Sequence, residues 1–277
     1  MQFLDPAKQL CIVPDKSLNF LPFAALISSS GKYLIEDFQL EQAASANVFV
    51  RSSTTAAAKE QTNPETLLSV GNPELNKSKF LDLADLPEAA REAKEVAEFY
   101  KPAMVLTGAD ASRARVIRDS ARADVIHFAT HAVADAASPL ASKLVLASGS
   151  DASGAKGSGD AFEAFDIYGL HLPRARLIVL SACQSGIDRL FKGEGAVGLA
   201  RPFIAAGVPL VVASLWPVES NATADLMISF HRYRKSQNLS TVAALRMAQL
   251  DMIHHSPNSE NGYGWAAFTA IGGYAAY

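Results

Sequence analysis

Two residues are spaced as a nucleophile and its base would be. Cys183 follows the apolar run Leu177-Ile178-Val179-Leu180 and the pair Ser181-Ala182, and the polar turn Gln184-Ser185-Gly186 comes next. His131 closes a second run, Val125-Ile126-His127-Phe128-Ala129-Thr130. Both runs read as buried parallel strands, each with a reactive residue at its C-terminal tip, where open α/β sheets place their chemistry. If the two strands are neighbours, His131 and Cys183 meet at one edge of the sheet, and an imidazole can activate a thiol there.

The other candidates are weaker. His127 and His131 share strand parity but lie about 13 Å apart at ~3.3 Å per residue, too far for one metal ion with ligands at ~2.1 Å. His127 sits inside the apolar run and reads as a hydrogen-bonded core histidine. His254-His255 fall at a helix end, so no metal or other cofactor is expected. Cys11 lies in Leu10-Cys11-Ile12-Val13 and reads as a small core hydrophobe.

Elements that position the pair can be read around it. From residue 66 the chain alternates. Thr66–Pro73 is a strand, Glu88–Tyr100 a helix opened by Pro87, Ala103–Gly108 a strand, and Ser112 caps a helix to about Ala121. In the Glu88–Tyr100 helix, Ala89, Ala93, Val96 and Ala97 form one face, with charges opposite. After a short strand Leu144–Ala147 and a Ser/Gly-rich connector Ser148–Asp160, Ala161–Tyr168 reads as a helix. Leu177–Ala182, Pro209–Trp216 and Trp265–Gly272 are further strands, between helices over Glu194–Ala206, Asn221–Lys235 and Ser240–His254. This β-α-β alternation predicts an α/β fold, a mainly parallel sheet with helices on both faces. Residues 1–60 read as an extended N-terminal segment, with strands near Leu10–Val13 and Tyr33–Asp37, and Ser52–Pro64 as a loop.

The totals exclude several classes. In 277 residues, 49% are hydrophobic and 19% charged, an ordinary globular composition. A net charge of −3 lacks the basic face that nucleic acid requires. No apolar run approaches the ~20 residues of a membrane span. The N-terminus has no signal-peptide pattern, and two cysteines suit a reducing compartment, so a cytoplasmic location is expected.

The sequence also resembles a known family. Leu18-Asn19-Phe20-Leu21-Pro22-Phe23-Ala24-Ala25-Leu26, His127-Phe128-Ala129-Thr130-His131 and Leu180-Ser181-Ala182-Cys183-Gln184-Ser185-Gly186 look like the CHAT domain. Gly193–Arg201, Ala213-Ser214-Leu215-Trp216-Pro217-Val218 and Gly264-Trp265-Ala266-Ala267-Phe268 are further matches. They run in order over nearly the whole chain. CHAT domains are similar to caspases and separase and are often joined to tetratricopeptide repeats.

The resemblance implies a caspase-like three-layer sandwich with a six-stranded sheet. It implies one domain over 1–277, with 1–60 as an accessory segment and 66–277 as the core. It assigns a catalytic dyad to His131 and Cys183 and an oxyanion hole to the backbone N–H groups of Cys183 and Ala132. The family commonly has glycine where Ala132 stands, so a positive φ there would be strained. Caspases take Asp before the cut and separase-like enzymes take Arg. The acidic pair usual after Trp216 is Glu219-Ser220 here. Glu219, and on weaker grounds Asp135, are the acids expected to pair with a basic residue. The expected activity is a cysteine endopeptidase acting on protein substrates, with no cofactor, held quiet until a partner or sensor region such as a tetratricopeptide-repeat region releases it. No such repeat occurs in these residues, so the chain is read as a solitary domain or as the C-terminal part of a longer protein. The rival reading is a caspase-like interaction module, a pseudoprotease whose dyad goes unused; a thiol hydrolase other than a peptidase is a third.

Overall fold

A computed structural model describes residues 4–5, 8–59, 64–135, 137–149, 159–182, 195–255 and 264–277. Cys183, the turn after it and the centre of the Ser148–Asp160 connector lie outside the described residues. The N-terminal segment forms β1 (Gln9–Ile12), α1 (Leu34–Asp37), β2 (Gln39–Gln42) and α2 (Ala46–Ala58). The alternating part begins with β3 (Leu67–Pro73), α3 (Pro87–Glu98), β4 (Ala103–Gly108), α4 (Arg113–Ser120) and β5 (Val125–Ala129). Next come β6 (Ala132–Val133), β7 (Lys143–Val145), β8 (Ala161–Glu163) and α5 (Ala164–Tyr168). The chain closes with β9 (Leu177–Leu180), α6 (Gly195–Ala205), β10 (Leu210–Ser214), α7 (Ser220–Ser236), α8 (Thr241–His255) and β11 (Phe268–Gly272).

The main sheet runs β1-β2-β11-β10-β9-β5-β3-β4. Only the β10/β11 pairing is antiparallel. The six strands expected from the sequence are β4-β3-β5-β9-β10-β11, and β2 and β1 of the N-terminal segment extend that sheet to eight. Alternate residues of each central strand feed opposite cores. Ile126, Phe128, Ile178 and Leu180 pack with Val116, Ile167 and Phe203 on one face. Val125, Leu177 and Val179 pack with Val96, Phe230 and Leu245 on the other. Fully burying each such aliphatic or aromatic side chain contributes roughly 1.5–3 kcal/mol, so the three layers are mutually dependent.

Three local expectations are corrected. Tyr33–Asp37 is not a strand: the Tyr33 N–H donates to Glu36 Oε2 at 2.6 Å and opens α1, and the strand starts at Gln39. The loop expected over Ser52–Pro64 is helical through Ala58. Ser45 caps that helix by accepting the Val48 N–H at 3.2 Å, and Gly273 lets the chain after β11 pass close to it; a Cβ there would meet Ser53 N at 2.4 Å. Ala161–Tyr168 divides into β8 and α5, and β6-β7-β8 make a separate antiparallel sheet beside the main one.

Two positions test how this packing holds. Gly71 on β3 lies under α3, where an added Cβ would meet the Ala89 carbonyl oxygen at 2.4 Å. Backbone cannot yield as a flexible side chain does, so Gly71→Ala should destabilise the fold by about 1–3 kcal/mol in urea denaturation. On β2, Glu41 is fully buried and neither carboxylate oxygen has a hydrogen-bond partner among the described residues. Burial raises its pKa from 4.5 to about 7, and the adjacent Cys11 thiol is pushed up to about 12. Between those two carboxyl values the native state keeps a proton that the unfolded chain has lost. Stability should therefore fall as pH rises through that window, by about 3 kcal/mol in all, and Glu41→Gln should flatten the slope in denaturation curves taken at pH 4.5 to 8.

Candidate active site

His131 stands just beyond the C-terminal end of β5 and is almost wholly buried. Its Nε2 lies 2.7 Å from the carbonyl oxygen of Ala84, in the segment between β3 and α3. A carbonyl only accepts, so Nε2 carries the proton and Nδ1 holds the lone pair of the neutral ring. Burial pulls the imidazole pKa below its ordinary 6.5, although the Ala84 carbonyl favours the charged form. Thr130, the residue before it, is pinned by donating its hydroxyl to Val145 O at 2.6 Å.

β5 and β9 pair in parallel, from Val125 with Leu177 through Phe128 with Leu180. Beyond Leu180 the described residues continue through Ser181 and Ala182 at the same end of the sheet as His131. Ala132 begins β6 at the edge of the small sheet. The Val145 N–H donates to His131 O at 2.8 Å, so 131 and 145 form the hydrogen-bonded pair of the β6/β7 ladder and Ala132/Leu144 the non-bonded one. The Ala132 N–H therefore points out of the ladder, to the open edge. Ala132 is extended and is not among the residues with positive φ, so its Cβ introduces no strain.

A cleft of about 280 Å³ opens at this end of the sheet. Its walls come from the start of α3, from Thr130, from Ser181 and from the segment leading into α7. Glu219 lines it, exposed, at the N-cap of α7, where it makes no side-chain capping bond. Asp135 is placed differently: its Oδ1 accepts the N–H groups of Ala137 and Ser138, both at 2.9 Å, and holds a turn. It is not among the residues lining this cleft.

The cleft also holds an acid that the sequence reading did not single out. Glu92, on α3, lines it while being 2% exposed. Its Oε1 lies 2.9 Å from His127 Nε2, an approach too oblique for an aligned hydrogen bond. His127 is fully buried, as expected, and its Nδ1 is 3.2 Å from His231 Nε2 on α7. The missed signal was spacing: Glu92 falls three residues after Ala89 and four before Val96, on the apolar face of the helix. Among the described residues no group of three or more His, Cys, Asp or Glu side chains is arranged to hold a metal ion.

With this geometry in hand, similarity to known proteins becomes interpretable. The family model described as the CHAT domain matches residues 2–273. Human tetratricopeptide repeat protein 28 is 30% identical across 96% of this chain, and its mouse counterpart is 29% identical across 96%. The chain spans only 12% of the length of either. Among solved structures, separase in a Saccharomyces cerevisiae separase–securin complex superposes with a TM-score of 0.58 at 13% identity, over 98% of this chain and 16% of that one. The Arg-specific cysteine proteinase gingipain R superposes with a TM-score of 0.53 at 12% identity, over 84% of this chain and 53% of that one. At such identities these two likenesses establish a shared fold.

The histidine geometry carries its own test. Nitrogen-resolved NMR of His131 should show the Nε2–H tautomer at pH 6.5, with protonation displaced below that value because burial disfavours the imidazolium. Replacing Ala84 does not remove the backbone acceptor, so Ala84→Ser should leave the tautomer in place.

Proposed function

The chain belongs to the CHAT domain family, and from that premise we propose that it is a cysteine endopeptidase whose base is His131 and whose nucleophile is Cys183. The observation that carries the reading is a register. β5 and β9 pair with a constant offset of 52 residues, Val125 with Leu177 to Phe128 with Leu180. His131 and Cys183 are separated by the same 52. A register continued past the described part of β9 would bring thiol and imidazole side by side at the end of the sheet where the cleft opens.

The chemistry then follows from the groups. His131 Nδ1 takes the thiol proton while the Ala84 carbonyl holds the ring. The thiolate of Cys183 attacks the carbonyl carbon of a peptide bond, and the carbonyl electrons move onto oxygen. The outward N–H of Ala132 and that of Cys183 are the donors for this oxyanion. Collapse expels the amine, which leaves with the proton held by His131, and the acyl group remains as a thioester. Water, giving its proton to His131, hydrolyses the thioester and restores the thiol. The residue before the cut is a basic one, for which Glu219 on the cleft wall supplies negative charge. Protein partners suit a domain whose curated relatives are tetratricopeptide repeat proteins; we infer that an adjoining or separate sensor region releases the activity.

Cleavage of a randomised peptide library, read by mass spectrometry, tests the assignment. Cys183→Ala and His131→Ala should each lower kcat/KM by roughly three orders of magnitude or more, and together no further than either alone. Cuts that persist in Cys183→Ala would overturn it. So would a wild-type protein that cleaves nothing and whose Cys183 resists a peptide acyloxymethyl ketone.

A further inference from the structure

We propose that Glu92, at the floor of the cleft, is the acid that receives a cationic side chain there, with the Ser181 hydroxyl as a second acceptor. The residue it selects is thereby one bearing a guanidinium, the group whose donors best fill these acceptors. That this residue precedes a scissile bond rests on the peptidase reading; the recognition site itself does not.

A buried carboxylate is costly unless something pairs with it. Glu92 has one short contact to a titratable group, His127 Nε2, which lies 2.9 Å from Oε1. The approach is oblique and leaves Oε1 without an aligned donor. Behind His127, His231 Nε2 lies 3.2 Å from His127 Nδ1, and the Tyr100 hydroxyl lies 2.8 Å from His231 Nδ1 and accepts from Arg234 Nη1 at 3.2 Å. Burial holds the His231 pKa well below its ordinary value, so that ring brings no charge toward the carboxylate.

Ser181 Oγ, buried on the same cleft wall, has no hydrogen-bond partner among the described residues either. Two buried residues that line one cleft, each with an oxygen lacking an aligned donor, call for a ligand that donates to them. A guanidinium carries five N–H donors in a planar fork and matches a carboxylate with a second acceptor beside it. Leu86, Ala89 and Val218 line the way in and suit the aliphatic stem of such a side chain. Glu219, exposed at the rim, adds charge where water screens it; Glu92 acts where water is largely excluded.

The test is binding, which needs no catalysis. N-acetyl-arginine amide and its neutral isostere N-acetyl-citrulline amide are titrated into the protein by calorimetry and NMR. The arginine probe should bind at least tenfold more tightly. Glu92→Gln should abolish that preference, Glu92→Asp should keep part of it, and Glu219→Gln should weaken it only a few-fold. In the wild type the His127 ring signals should shift with the arginine probe and not with citrulline, a readout that survives even if Glu92→Gln fails to fold. Equal affinity for the two probes, or a preference unchanged in Glu92→Gln, overturns the assignment. Arginine selection by a protein that cleaves nothing and whose Cys183 resists a peptide acyloxymethyl ketone overturns the peptidase reading alone. Cleavage after arginine that is unaffected by Glu92→Gln overturns this one alone.

Discussion

Burying the guanidinium of Arg234 is the constraint around which this structure closes. Arg234 lies near the end of α7, 4% exposed, and meets Glu65 through Nη1 at 2.6 Å and Nη2 at 2.8 Å. Arg176 reaches the same carboxylate at 2.7 Å. Burial opposes ionisation of Glu65, but the bonds and charge of Arg234, then of Arg176, outweigh it and hold the carboxyl below its ordinary range. Breaking such a pair by removing one partner costs about 3–5 kcal/mol, because the other charge stays buried. Glu65 stands two residues before β3 and Arg176 one residue before β9, so the cluster clamps the N-terminal ends of two central strands to one helix.

That helix links the two poles of the sheet. α7 spans 17 residues, about 25 Å at 1.5 Å per residue. Its first turn lies against the cleft through Ser220 and Thr223, and its last turn carries Arg234. Between them His231 Nε2 lies 3.2 Å from His127 Nδ1 on β5, and His127 Nε2 lies 2.9 Å from Glu92 Oε1 on α3. The polar side chains of this core thus run in one series of contacts from the ion cluster to the cleft. A cleft with an acid in its floor favours cations before any substrate arrives.

The alternating part of the fold was legible because its signals are local. Apolar runs of four to six residues ending in Gly, Pro or a polar tip gave β3, β5, β9 and β10, and Pro87 gave the start of α3. The register that aligns His131 with the end of β9 was also legible, since two neighbouring parallel strands of similar length tend to end together. What escaped was decided by tertiary contact. Ala46–Ala58 contains Ser52, Ser53, Thr54 and Thr55 in succession, poor helix formers, yet the cap at Ser45 and close packing against Gly273 make it helical. β6, β7 and β8 are two or three residues long and have no periodicity to read. Glu92 was counted with the charged face of its helix, although its spacing from Ala89 and Val96 placed it inside. A charge at an apolar position was the visible anomaly, and its explanation required His127 and His231, which arrive from elements 35 and 139 residues further along.

The N-terminal segment belongs to the same physical system as the cleft. β2 joins β11 at Ile271, and α2 is tied down beyond its end by Lys59, whose ammonium donates to the carbonyls of Leu172, Ala175 and Gly207 at 2.9, 2.7 and 2.7 Å. Burial lowers the Lys59 pKa to about 8, while three carbonyls at these distances favour the charged form. Two of those carbonyls precede β9, the strand that leads to Ser181, and the third closes the turn after α6. Residues 172–176 are thus held from one side by Lys59 and from the other by the Glu65 cluster. A parallel strand fixed so firmly at its start has little freedom to slip against β5, and a slip of one residue would turn Ser181 away from Glu92. The accessory segment and the buried ion cluster therefore serve one end: they hold the register on which the alignment of His131 with the tip of β9 depends.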